Sequence, residues 1–320
     1  MQLVRQKGKL RAYRARATLA ALVVAALGSG CAAEGPGGAP SPTGTATGRS
    51  AQKGPQAQGA QKPEAAGPAE ALSAYVEKVR RSQKARAAAA KKWGLAQTPL
   101  AAPPPPDAKP EITTRKGFEV EGGEGLPPVF TTVPTKEKIV FLTIDDGAEK
   151  DPELLRMMSE LQIPYSAFLS DYVINDDYGY FEKMRDRGVA LHNHTLNHPY
   201  LPGLSYSEQK REICGQQDKL EKRYGTRPRL MRPPYGNYNK DTLRVAAKCG
   251  IEAVPLWAAE AFPDHMEWRE WDRDLHPGDI ILTHFRGKEE WKGSMPDMIR
   301  RVMKTVTAKG YAVARLEDYV

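Results

Sequence analysis

The pattern of hydrophobic and polar positions divides the chain into an N-terminal part without a core and a C-terminal globular part. Residues 32–68 are rich in Gly, Pro, Ala, Ser, Thr and Gln and have almost no large apolar side chains. Such a segment cannot bury enough surface to fold. From about residue 112, short apolar runs alternate with amphipathic segments. The runs predict strands at 139–144, 165–169, 189–192, 229–231, 251–256, 279–283 and 311–314, and the segments predict helices at 152–161, 180–187, 205–224, 239–249 and 296–309.

This order of elements favours an α/β fold with parallel strands, and we predict a barrel. Four polar residues that are candidates for catalytic or metal-binding roles lie at or just after the ends of predicted strands: Asp145, His194, Arg232 and His284. Barrels of this class place their active sites at the carboxyl ends of the strands. The predicted topology would therefore bring these four side chains to one end of the barrel.

The first 31 residues are typical of an export signal. Six basic residues and no acidic residue precede an apolar stretch at 18–27, which is short for a membrane span. The following Leu-Gly-Ser-Gly-Cys31 resembles a bacterial lipobox, although the leucine lies four residues before the cysteine and not three. We expect an exported monomer, either lipid-anchored through Cys31 on the outer face of the cell membrane or secreted.

Charge separates the N-terminal part from the globular domain. Residues 1–110 hold 17 of the 47 basic residues and 5 of the 39 acidic ones, so the remainder is slightly acidic. No nucleic-acid partner is expected, because the folded part lacks a basic excess. We predict a flexible spacer at 32–111, containing one basic helix at about 69–94 and a proline-rich run, followed by a catalytic domain at 112–320.

Export also changes the interpretation of Cys214 and Cys249. Cys214 lies within one predicted helix and Cys249 ends another, so contact between them is feasible. We expect a disulfide between them, because the compartment outside the cytoplasm is oxidising. A metal role is not expected, since neither cysteine has a CxxC partner.

The segment 192–198 contains three of the six histidines of the chain. His194 and His198 are four residues apart, which lets both rings converge from one helical or turn-like segment. Asp146 can add an oxygen ligand and leave a position open for water. This set is typical of a catalytic metal centre, for which zinc is the expected ion and cobalt or nickel are alternatives. A surface histidine pair without a ligand would have the same spacing.

Four motifs, in order, resemble those of polysaccharide deacetylases, the NodB-homology domain of carbohydrate esterase family four. They are Thr143-Ile144-Asp145-Asp146-Gly147, His194-Thr195-Leu196-Asn197-His198, Arg232-Pro233-Pro234-Tyr235-Gly236 and Leu282-Thr283-His284. The resemblance covers roughly residues 135–320. It implies a distorted parallel (β/α) barrel, usually of seven strands. It also implies a metal-dependent hydrolase that removes N-acetyl groups from N-acetylglucosamine-type sugars of a cell-wall or chitin-like polysaccharide.

The resemblance also implies roles for individual residues. Asp146, His194 and His198 would hold the metal, and Asp145 would be the general base. Arg232 would orient the carboxylate of that base.

Further residues complete the implied site. The backbone N–H of Tyr235 would donate a hydrogen bond to the oxyanion, and His284 would be the general acid. Trp257 and Leu282 would wall the pocket around the acetyl methyl group and the sugar.

One element of the family pattern is missing. The family's fourth motif, Asp-x-x-Asp-Trp, is not present, so Glu260 or Asp264 is expected to serve as the carboxylate partner of His284.

Two other functions stay open. An O-acetyl esterase would act on the same kind of carbonyl. A non-catalytic glycan-binding protein would explain the missing motif but not the retained aspartates, histidines and arginine. A zinc protease is not favoured, because Thr195 stands where the HExxH motif requires glutamate.

Overall fold

The computed structural model describes residues 68–320, and the predicted leader, Cys31 and spacer residues 32–67 lie outside this range. The described part contains nine strands and eight helices. The strands are β1 (Val129–Phe130), β2 (Ile139–Asp146), β3 (Ser166–Leu169), β4 (Ala190–Asn193), β5 (Val254–Pro255), β6 (Ala259–Ala261), β7 (Met266–Trp268), β8 (Ile280–His284) and β9 (Ala312–Ala314). The helices are α1 (Pro68–Lys92), α2 (Pro152–Leu161), α3 (Asp171–Ile174), α4 (Tyr178–Arg185), α5 (Tyr206–Tyr224), α6 (Lys240–Lys248), α7 (Lys288–Trp291) and α8 (Met295–Ala308).

The strands form a mainly parallel sheet that curves into a distorted barrel. Their order is β4-β3-β2-β8-β6-β7, and β9 also pairs with β2. All of these pairs are parallel except that of β6 with β7. Single bridges from Asn193 to Met231 and from Leu230 to Ala253 continue the ladder from β4 towards the short β1–β5 pair. The α/β barrel predicted from the sequence is confirmed; the main sheet has seven strands, one of them antiparallel.

Two predicted strands are shorter than expected. The segment 229–231 makes only isolated bridges, and 251–256 is reduced to Val254–Pro255. Pro228 and Pro255 lack a backbone N–H and cannot donate to a ladder, which accounts for the weak pairing here. β2, by contrast, lies at the centre of the sheet, and all eight of its residues are buried.

Helices pack against the outside of the barrel through their apolar faces. In α2, the Asp151 carboxylate caps the amino end by accepting from the N–H of Glu153, and Pro152 occupies the first turn. Half of the residues of α2 are buried, and they belong to the same core cluster as the buried face of α8. No described helix combines the length and apolar composition needed to cross a membrane.

The folded unit begins before the predicted boundary at residue 112. The carboxyl half of α1 packs on α2, where the buried Arg86 donates to the carbonyls of Leu161 and Pro99 at 3.0 and 2.9 Å. Ala89, Ala90 and Trp93 are part of the core. All described residues therefore belong to one compact unit, and the helix predicted within a flexible spacer is docked on the domain.

A disulfide joins Cys214 in α5 to Cys249 at the end of α6, with the Cα atoms 5.1 Å apart. The same helix α5 supports the loop that follows β4. Glu212 accepts hydrogen bonds from the backbone and side-chain amides of Asn197, and its own carbonyl accepts from Leu196. The disulfide thus fixes a helix that positions the histidine segment.

Candidate active site

The carboxyl ends of β2, β4 and β8 meet at a pocket of about 240 Å³. It is lined by Asp145, Asp146, His194, His198, Pro233, Tyr235, Gly236, Trp257, Glu260, Leu282, His284 and Arg286. Four separate sequence motifs therefore meet at one place, at the end of the barrel where the prediction put them.

A left-handed turn at the end of β2 brings two adjacent aspartates to the same pocket. Neighbouring side chains on a regular strand point to opposite faces. Asp146 instead has φ 78°, and Gly147 follows with φ 105°. A Cβ at Gly147 would lie 2.4 Å from Ile174, so the turn requires glycine. The departure from strand geometry is what lets Asp145 and Asp146 act together.

Backbone strain is concentrated at this site. Seven non-glycine residues in the described chain have positive φ, and four of them are Asp146, Thr195, His198 and Tyr235. Each such conformation costs free energy and persists only where the surroundings hold it in place, and this kind of strain clusters at functional sites. The His194–His198 segment is accordingly a turn and not a helix.

Asp146, His194 and His198 form a group that could hold a metal ion, with ligand atoms within 4.8 Å of one another. Asp146 Oδ1 lies 3.5 Å from His194 Nε2 and 3.4 Å from His198 Nε2. This oxygen is buried and has no hydrogen-bond partner. His194 Nδ1–H donates to the Arg232 carbonyl at 2.6 Å, which leaves Nε2 as the ligand atom. A divalent cation would satisfy all three atoms.

Burial and mutual interactions shift the pKa values of these three residues. Burial, together with the neighbouring His194, lowers the pKa of His198 to about 4. Burial alone would raise the pKa of Asp146, but the nearby imidazole of His194 holds it well below its usual range. Asp145 and Asp146 outweigh burial and raise the pKa of His194. Because a ligand histidine must be neutral, the raised pKa of His194 means that metal binding should weaken as the pH falls.

Arg232 holds the other aspartate. It is fully buried, and its Nη1 donates to Asp145 Oδ1 at 2.7 Å and to Thr143 Oγ1 at 2.9 Å. Its Nε donates to the Pro255 carbonyl at 2.8 Å. A charged pair with this many bonds is rigid. Asp145 Oδ2 stays on the pocket side, 3.8 Å from His194 Nε2.

His284, at the end of β8, has a carboxylate neighbour. Its Nδ1 lies 3.4 Å from Oε1 of Glu260, which projects from the middle of β6. Asp264, the other candidate partner, is exposed and pairs with His265. Burial lowers the pKa of His284. Of the two carboxylates considered from the sequence, Glu260 is the one that the fold brings to His284.

The remaining predicted pocket residues line the same cavity. Pro233 and Pro234 precede Tyr235, whose ring packs edge-on against His198 with centroids 4.7 Å apart. Gly236 has positive φ, and a Cβ there would approach the Trp257 ring to 2.9 Å. Leu282 is buried in β8. These residues form an apolar wall beside the charged group.

Arg286 is a pocket residue that the sequence motifs did not indicate. Its Nη2 donates to Asp146 Oδ2 at 2.7 Å. Its position two residues after His284 is the only sequence signal for it. His192, which belongs to the histidine-rich segment, does not join the site and bonds Glu317 at 2.8 Å.

Comparisons with known proteins relate the chain to one family. The family profile of polysaccharide deacetylases matches residues 132–254. The uncharacterized protein SCO4760 of Streptomyces coelicolor is 40% identical over 203 residues, covering 63% of this chain and 81% of that protein. The peptidoglycan-N-acetylmuramic acid deacetylase PdaC of Bacillus subtilis is 30% identical over 203 residues, covering 60% of this chain and 41% of that protein.

A solved structure shares the fold. It is that of BA3943 from Bacillus anthracis, described as a CE4 family pseudoenzyme, with a TM-score of 0.51 and 20% identity. The match covers 60% of this chain and 69% of that one. At this identity the likeness concerns the fold, and the chemistry must be judged from the residues of the pocket.

Proposed function

The chain belongs to the polysaccharide deacetylase family, and from this premise we propose that it is a metal-dependent hydrolase that removes N-acetyl groups from the amino sugars of an extracellular glycan. The observation that carries the proposal is the buried, unpartnered Asp146 Oδ1 facing two histidine nitrogens. The proposed substrate is peptidoglycan or a chitin-like polymer. Peptidoglycan is supported by the Bacillus subtilis relative, whose name gives it as a peptidoglycan-N-acetylmuramic acid deacetylase.

Asp146, His194 and His198 are the proposed metal ligands. Their nitrogen and oxygen atoms suit zinc, and cobalt or nickel would also fit. The bound ion would lower the pKa of a water molecule and polarise the acetyl carbonyl.

Asp145 is the proposed general base. Arg232 occupies its Oδ1, so Oδ2 alone faces the ligand group. A carboxylate held there accepts a proton from the water that adds to the acetyl carbonyl carbon. Because Arg232 is itself fixed by Thr143 and Pro255, the base is oriented before substrate arrives.

His284 is the proposed general acid. Its Nδ1 faces Glu260, which leaves Nε2 to deliver a proton to the sugar nitrogen as the carbon–nitrogen bond breaks. The products are acetate and a free amine on the sugar. Glu260 would stabilise the protonated imidazole, the role that a carboxylate partner has in other acid–base pairs.

Tyr235, Trp257 and Leu282 are proposed to bind the acetyl group. The backbone N–H of Tyr235 would donate to the oxyanion, an interaction typically worth about 3 kcal/mol of barrier. Trp257 and Leu282 would enclose the methyl group and one face of the sugar, where apolar surface excludes water.

An O-acetyl esterase is the second candidate, because an ester presents the same carbonyl to the same groups. A non-catalytic glycan-binding protein is the third. We favour an enzyme over the latter, since the pocket contains all of the residues proposed as base, acid and metal ligands.

The experiment is acetate release by the zinc-loaded chain from peptidoglycan, chitin oligomers and O-acetylated xylan in parallel. The proposal predicts acetate from an N-acetylated glycan. Acetate from xylan alone would identify an esterase, and glycan binding without acetate from any polymer would identify a binding protein.

We also propose that the protein is exported and attached to the membrane surface through a lipid on Cys31. The basic and apolar leader and the lipobox-like segment support this location. Metabolic labelling with a radioactive fatty acid tests it. Label should enter the parent chain but not a Cys31→Ser variant, whereas an unlabelled parent chain would indicate plain secretion.

A further inference from the structure

The two oxygens of Asp146 have different surroundings. Oδ1 faces the histidine nitrogens and has no hydrogen-bond partner. Oδ2 accepts a hydrogen bond from Arg286 Nη2 at 2.7 Å. The Asp146 side chain is only 3% exposed, so this charged pair is largely shielded from water. One oxygen is thus available to a metal, and the other is already bound.

Arg286 is itself held from two directions. Its backbone N–H donates to the carbonyl of His284 at 3.0 Å, and its Nη1 donates to Glu290 Oε2 in α7 at 2.7 Å. A planar guanidinium with both arms engaged has little freedom to rotate. The position of Oδ2 is therefore determined by the end of β8 and by α7.

The neighbouring aspartate has the same arrangement. Asp145 Oδ1 accepts from Arg232, while its Oδ2 faces His194. Each carboxylate at the end of β2 therefore has one oxygen bound by an arginine and one directed towards the ligand group. Arg232 belongs to a motif that the sequence reveals, and Arg286 does not.

We propose that Arg286 is a positioning residue that holds Asp146 as a one-oxygen ligand of the metal. Without Arg286, Oδ2 would be free to turn towards the ion, and Asp146 would bind through both oxygens or rotate away. The same residue links this ligand to the strand end that carries His284. The proposal rests on the metal site of the proposed function.

Arg286 and a bound cation are both positive, so Arg286 has two opposite effects on metal affinity. It repels the ion, and it orients the ligand Asp146. Glu290 neutralises much of the charge of Arg286 at 2.7 Å. The hydrogen bond from Arg286 to Asp146 Oδ2 is then expected to be the larger of the two effects on metal affinity. Residues that orient metal ligands typically raise affinity about 10- to 100-fold. Loss of Arg286 should therefore weaken metal binding.

The test measures zinc affinity by chelator competition and the visible spectrum of the cobalt-substituted chain, for the parent and for Arg286→Met, Arg286→Gln and Arg286→Lys. The first two variants should bind zinc about 10- to 100-fold more weakly. Their cobalt bands should change in intensity, because the coordination number rises if Asp146 binds through both oxygens and falls if it rotates away. Arg286→Lys should recover most of the affinity, because an ammonium can still donate to Oδ2.

Arg300→Met is the matched control. Arg300 pairs with Asp297 in α8, outside the pocket, and its side chain is similarly exposed. It should change neither the affinity nor the spectrum. Thermal unfolding of the metal-free chains checks folding, and Arg286→Gln replaces Arg286→Met if the latter does not fold.

Unchanged affinity and spectrum in the folded Arg286 variants would overturn the proposal, as would tighter binding, which would mean that charge repulsion dominates. A parent chain that binds no metal would overturn the metal centre itself. If the parent chain binds metal and the Arg286 variants bind it equally well, only the role of Arg286 is overturned.

Discussion

The side chain of His194 connects the proposed metal site to the proposed general base. Its Nδ1–H bonds the carbonyl of Arg232, while the side chain of Arg232 bonds Asp145. The proposed metal ligand and the proposed general base are thus fixed by a single buried arginine. The sequence predicted these residues because each lies in a motif with defined spacing. It could not choose between Glu260 and Asp264, because that choice depends on which side chain the β6–β7 hairpin turns towards His284.

Replacing both His194 and His198 by alanine should abolish metal binding, because a single carboxylate oxygen is a weak site. Elemental analysis of the purified chains measures this directly. His276→Ala is the control, since that histidine is partly exposed and pairs with Asp272 outside the pocket. Metal retained at the parent stoichiometry in the double variant would contradict the ligand assignment.

Glu260→Gln should shift the alkaline limb of kcat/KM to lower pH. Burial, with the nearby charges of Glu267 and Asp145, raises the pKa of Glu260 to about 7, and burial lowers that of His284. A general acid works only while protonated, so activity falls as pH rises through its pKa. As the pH rises through about 7 Glu260 becomes ionised and favours the imidazolium. Glutamine lacks this negative charge, so the limb should move on the order of one pH unit.

Asp264→Asn is the control for this pH profile, because Asp264 is exposed and bonds His265. Its profile should match that of the parent chain. If Glu260→Gln also matched the parent, Glu260 would not be the partner of the acid.

At the scale of elements, the sequence predicted long amphipathic helices well and short strands poorly. Each of the five helices predicted after residue 112 is present, with bounds within two residues of those expected. Their 3.6-residue periodicity is sustained over several turns and is marked by caps such as Asp151 and Ser205. β6 and β7 have three residues each, too few for an alternating pattern to stand out. The hairpin that carries Glu260 therefore escaped prediction.

Removing the disulfide with Cys214→Ser and Cys249→Ser should lower the free energy of unfolding by about 3–4 kcal/mol, the usual value for a loop of this length. The closed loop has a sequence separation of 35. The free energies of unfolding measured in urea should agree between the double variant and the reduced parent chain. If reduction left the parent as stable as before, the disulfide would contribute nothing to stability.

At the scale of the whole molecule, the folded unit is larger than the part that the family profile matches. The family profile matches residues 132–254, yet His284, Arg286 and the docked helix α1 lie outside that range. The sequence predicted a solvated or loosely docked helix here, and the close packing of α1 was not predicted because it depends on small residues. Ala89 and Ala90 give little hydrophobic signal, although both are buried against the domain.

The chain 112–320 should therefore be less stable than the chain 68–320. Truncation removes Trp93 from the core and uncovers the carbonyl of Leu161 that Arg86 bonds. Loss of one buried tryptophan alone typically costs about 3–5 kcal/mol. Denaturant unfolding of both chains, with Trp93→Ala in the longer one as the control, measures the difference. Equal stability would mean that α1 is a dispensable addition.

The most direct test of the central claim is acetate release from an N-acetylated glycan by the parent chain and by Asp145→Asn. Both would be assayed after metal depletion and after reloading with zinc. We expect acetate only from the zinc-loaded parent chain, while Asp145→Asn keeps its metal and its glycan binding but loses turnover. Equal acetate release from the metal-depleted parent chain, or from zinc-loaded Asp145→Asn, would contradict the account of a metal-dependent deacetylase with Asp145 as its base.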